Sequence, residues 1–124
     1  MILRPRAWSR GPATGSASGV VSKTSNYILL PSESGLDFDN NGATGAVTFI
    51  LPDANIGLNY TFTAMELFDL VIDARTGALI YLGDLVSSAG GTLTASAPGP
   101  AVRLKCRSST EWIAQFSTGT WTLA

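Results

Sequence analysis

In the run Asp37-Phe38-Asp39-Asn40-Asn41-Gly42, oxygen-bearing side chains recur at every second position and a glycine follows, the spacing with which a calcium loop begins. Hard Ca²⁺ takes several oxygens from closely set carboxylates and amides, and the glycine permits the sharp turn. The match ends there. Position 12 of such a loop falls on Thr48, where a bidentate Glu is needed. A turn at Asn40-Asn41-Gly42 accounts for the same residues without an ion. Asp37, Asp39, Asp53, Asp69, Asp73 and Asp84 are candidates for a paired-carboxylate site. No spacing singles out two of them, and they are expected as surface and turn acids. Histidine is absent, which removes Ser-His-Asp and Cys-His chemistry and the commonest metal ligand. Cys106 is the only cysteine, so one chain can form neither a disulfide nor a structural zinc site. No Walker-type loop and no GxGxxG opening a helix is present, so no phosphate cradle is expected. The chain is read as a non-enzyme with no catalytic residue, no cofactor and no metal.

Binding chemistry is better represented. Residues 1–25 hold Arg4, Arg6, Arg10 and Lys23 and no acid, a balance of +4, whereas residues 26–124 carry −5. The first stretch is built mainly from Gly, Pro, Ser, Ala and Thr and has almost no apolar periodicity, so an extended basic arm is expected over 1–25. Arg4, Arg6 and Arg10 would meet a partner surface, and Trp8, a lone large side chain among small ones, would fill a pocket on it. A second basic element is the alternation of Arg103, Lys105 and Arg107 with Val102, Leu104 and Cys106. Such a stripe can face phosphates or acidic protein. No aromatic residue stands between the three charges along the strand, and residues 26–124 are net acidic. A protein partner is therefore expected rather than nucleic acid.

The elements that carry these residues read as β-strands. Val47, Phe49 and Leu51 fall on one face of a strand that Pro52 ends, and Leu58, Tyr60 and Phe62 repeat the alternation. Residues 64–74 are ambiguous by propensity. The alternation of Phe68, Leu70 and Ile72 with Asp69 and Asp73 favours a strand. Arg75-Thr76-Gly77-Ala78 reads as a hairpin turn into Leu79–Leu82, and Trp112, Ala114 and Phe116 define the inward face of a late strand. About eight to ten short strands and no helix predict an all-β fold. It takes the form of an antiparallel β-sandwich or jelly-roll-like domain over 26–124, preceded by the arm. Charged residues make up 14% of the chain against roughly 25% on average, which points to surface covered by other subunits. No apolar run is long enough to span a membrane, so no membrane partner is expected.

The run Phe38 to Pro52, the segment Gly57-Leu58-Asn59-Tyr60, and the endings Glu111-Trp112-Ile113-Ala114 and Gly119-Thr120-Trp121-Thr122 resemble segments of small β-rich virion proteins of tailed bacteriophages. The resemblance covers residues 36–123 and leaves out the arm. It implies structural work, usually as a trimer, and transfers no catalytic residue. The expected function is that of a capsid decoration (cement) protein that stabilises a phage head. Its partners would be the major capsid protein or other virion proteins, its place the capsid surface, and its state a homo-oligomer. The alternative is a tail fibre, tip or receptor-binding module acting through loops such as 83–100. The N-terminal stretch lacks the apolar core of a secretory signal, so assembly in the host cytoplasm is expected.

Overall fold

The structure, a computed structural model, describes residues 19–75 and 77–124. The all-β expectation holds: among these residues the only helical element is a 3-10 turn, Pro31–Glu33. Twelve strands follow in order: β1 Val20–Ser22, β2 Tyr27–Ile28, β3 Asp37–Asp39, β4 Val47–Ile50, β5 Asn59–Thr63, β6 Leu70–Asp73, β7 Leu79–Leu82, β8 Leu85–Val86, β9 Thr92–Ala95, β10 Ala101–Ser108, β11 Glu111–Thr118 and β12 Thr122–Leu123. They form a seven-stranded sheet, β1-β3-β5-β10-β11-β7-β8, and a five-stranded sheet, β12-β9-β6-β4-β2.

The two sheets pack face to face. Phe38 and Phe62 of the larger sheet meet Phe49 of the smaller one, with ring centroids 5.7 and 5.4 Å apart. Around them Tyr60, Leu70, Ile72, Ile80, Leu93, Leu104 and Trp112 are fully buried. Each such side chain contributes on the order of 1.5–3 kcal/mol by leaving water. Alternation places these residues inward: Val47, Phe49 and Leu51, then Tyr60 and Phe62, then Val102, Leu104 and Cys106 are all at zero exposure.

The sheets are mixed rather than antiparallel throughout. β1, β3 and β5 run parallel to one another, as do β2, β4 and β6, and β11 pairs parallel with β7. Among β1–β6 the odd strands enter one sheet and the even strands the other, so these six wind around the core like three turns of a flat coil. A parallel neighbour needs a crossover of a dozen residues or more. Here the strand in the opposite sheet supplies that crossover, so no helix is needed. Period-two alternation gives the inward face but not the direction of the neighbour.

Three local expectations are corrected. Arg75–Ala78 is not a hairpin turn, because β6 and β7 lie in opposite sheets; the hairpin is β7–β8, turning at Gly83, whose φ is +61°. β1 falls inside the stretch assigned to the arm, and its pairing with β3 starts the folded unit by Val20 rather than at residue 26. Phe116 points outward, because a bulge in β11 intervenes: Arg103 pairs with Phe116 but Leu104 pairs with Ala114, leaving Gln115 as the extra residue. One extra residue flips every later side chain to the other face.

Candidate partner-binding surfaces

Arg103, Lys105 and Arg107 all face outward from β10. Directly paired residues share a face, so the register names their company. Across one row lie Asp37, Thr61, Arg103 and Phe116; across the next lie Asn59, Lys105, Ile113 and Tyr81. Phe116 and Ile113 remain 45% and 37% exposed. Arg103 donates to Asn59 Oδ1 at 3.3 Å, and Arg107 lies 3.6 Å from Glu111. Lys105 takes part in neither of the two ion pairs among the described residues. The stripe therefore belongs to a face that is cationic and apolar across β10 and β11, with the acid Asp37 exposed on β3 at its flank. Its aromatic and aliphatic members come from β11 and β7, which is why a reading along one strand found none between the charges.

A second surface was not singled out by the sequence. Residues 65–69 carry the chain from β5 in one sheet to β6 in the other, forming a knuckle at one end of the sandwich. Phe68, expected to face inward in a strand, lies before β6 and is 43% exposed, Met65 is 46% exposed and Leu67 is 78% exposed. Their backbone is nonetheless clamped. Asn40, fully buried, accepts from Met65 N–H at 2.7 Å and donates to the Phe68 carbonyl at 3.4 Å. Glu66 Oε2 accepts from Gly42 N–H at 2.8 Å, and the Asp69 carbonyl accepts from Val47 N–H at 2.9 Å. The Asn40 side chain thus serves as an internal brace, a use visible only once residues 40 and 65–68 are brought together.

The remaining candidates have local roles. Asp39 Oδ1 accepts from Asn41 N–H at 3.0 Å, and Ala43 N–H donates to the Asn40 carbonyl, so the segment 39–43 is the expected turn. Gly42 takes φ +87° there, a conformation that glycine adopts without cost. Asp73 Oδ1 accepts from Arg75 N–H, and Asp53 pairs with the Arg75 guanidinium at 3.3 Å. Cys106 is buried, as its place in the alternation predicts, and burial pushes its thiol pKa up. Burial likewise raises the Tyr60 phenol, which donates to the Leu30 carbonyl at 2.7 Å. Trp112 Nε1 is buried with no hydrogen-bond partner among the described residues.

A shallow groove of about 490 Å³ runs between residues 94–100 and 119–122, lined by Thr94, Ser96, Pro98, Pro100 and Thr122 among others. Among the described residues, none that lines it is charged. Arg4, Arg6, Trp8 and Arg10 of the arm lie outside the described residues. No family model matches the chain, and no curated protein matches it.

Proposed function

We propose that this chain is a non-enzymatic virion structural protein, a capsid decoration protein that binds and stabilises a phage head through its basic arm and its β-domain. Copies would work as a homo-oligomer, with a trimer favoured by the resemblance, on the capsid surface and against the major capsid protein. The observation that carries the reading is the distribution of exposed apolar side chains. Ile28 and Leu30 stand at one sheet edge, Leu85 and Val86 at another, Met65, Leu67 and Phe68 at one end, and Ile113 and Phe116 on a face. Single exposed apolar residues are ordinary, but clusters on several sides suit a molecule with several neighbours. A cementing role calls for modest contacts spread over adjoining subunits, and an arm adds area and multivalency without a larger core.

Two measurements test it. Copy number per purified particle should reach hundreds; a handful would overturn the shell reading in favour of a tail or receptor-binding part, and none would remove the virion reading. Deleting residues 1–18, which spares β1, should leave a folded domain that no longer binds shells. Undiminished binding by that truncated chain would exclude the arm as the docking element.

A further inference from the structure

The charge of the folded unit is split between its two halves. Residues 19–74 hold seven acids and one base, a balance of −6, and residues 75–124 hold four bases and two acids, +2. Of the exposed apolar clusters, one in each half is flanked by charges of that half's sign. The knuckle sets Leu67 and Phe68 between Glu66 and Asp69, and the outer face of the larger sheet sets Ile113 and Phe116 beside Lys105 and Arg103. Among the described residues, neither Glu66 nor Asp69 takes part in an ion pair, nor do Arg103 and Lys105.

We propose that copies of this chain associate head to tail, with the acidic knuckle of one copy seated on the basic apolar face of the next. The knuckle is an exposed segment whose backbone is held by the fully buried Asn40. A surface ordered before contact loses little conformational entropy on binding. Leu67, the most exposed large apolar side chain among the described residues at 78%, is the central anchor, and Phe116 and Ile113 form the floor that receives it. Asp69 and Glu66 then meet Lys105 and Arg103 at the rim, where charge sets orientation and excludes the like-charged pairing of knuckle with knuckle. The knuckle occupies an end of the sandwich and its receptor a face, so the contact is heterologous. Such contacts close into a ring when the rotation between copies allows it. This deepens the homo-oligomeric part of the reading above and does not depend on the shell, whose test is particle copy number.

The test uses the full chain in sedimentation velocity. A face variant carries Arg103→Glu and Lys105→Glu, and a knuckle variant carries Leu67→Ser and Asp69→Lys. Wild type should sediment as an oligomer and each variant as a single chain. An equimolar mixture of the two variants should form a one-to-one dimer, because the first retains a sound knuckle and the second a sound face. The milder changes Lys105→Gln and Asp69→Asn, which keep size and strand packing, should each weaken association about tenfold and reduce its salt sensitivity. Wild type that stays a single chain at every concentration would overturn the proposal, as would variants that still assemble or that fail to recover on mixing. A single-chain wild type that binds a single-stranded oligonucleotide through Arg103 and Lys105 would reassign the face to nucleic acid.

Discussion

Strands β1–β6 and strands β7–β12 cover the same core by different routes. In the first half the strands pair with one another a full turn of the coil away, and they stack in register: Val21, Phe38 and Phe62 in one sheet, Tyr27, Phe49 and Ile72 in the other. In the second half the chain returns on itself in the hairpins β7–β8 and β10–β11. Local hairpins form at small loop-closure cost, whereas the coil must close loops of about twenty residues before its contacts form. The coil therefore depends on the aromatic stack at its centre. The hairpin half can tolerate irregularity, and it contains the two register shifts between β10 and β11. One of those shifts delivers Phe116 to the basic face. Regularity in one half builds the scaffold, and the defect in the other builds a surface.

The comparison is broken most directly at Phe38, whose ring lies within 6.3 Å of the rings of Tyr27, Phe49, Tyr60 and Phe62. Phe38→Ala should cost about 3–5 kcal/mol in denaturant unfolding. A loss below about 1 kcal/mol would mean that the coil is not held by its stack. A smaller effect is expected from Asn40→Ala, which strands the Met65 N–H and the Phe68 carbonyl. It should cost about 1–3 kcal/mol and speed amide exchange at Met65 while leaving exchange in β10 and β11 unchanged. Equal acceleration in both halves would show that the knuckle is not a local device.

The smallest effect is expected at the joint between the halves. Arg75 follows β6 with φ +66°, a left-handed conformation that disfavours branched side chains. Its ion pair with Asp53 is exposed and contributes little. Arg75→Gly should change stability by no more than about 1 kcal/mol, and Arg75→Val should lose about 1–2 kcal/mol. Equal melting of the two variants would show that this joint carries no backbone strain.

Much of the fold was legible in the residues. Alternating apolar positions such as Val47-Phe49-Leu51 and Val102-Leu104-Cys106 named the inward faces, because a strand must bury one side. Asn40-Asn41-Gly42 named a turn, because its glycine takes a conformation other residues avoid. The outward placement of Arg103, Lys105 and Arg107 followed from the same period of two.

Strand direction, sheet membership and the neighbours of each outward residue were decided only by the tertiary structure. Alternation is identical for parallel and antiparallel partners, so the coil of β1–β6 left no mark in it. The brace by Asn40 and the company kept by Lys105 join residues roughly 10 to 45 positions apart, and the bulge at Gln115 depends on what β10 offers opposite. Composition and period determined that this chain would be a β-sandwich with unbalanced charge. Long-range pairing, which no local pattern encodes, decided where that charge meets exposed apolar surface.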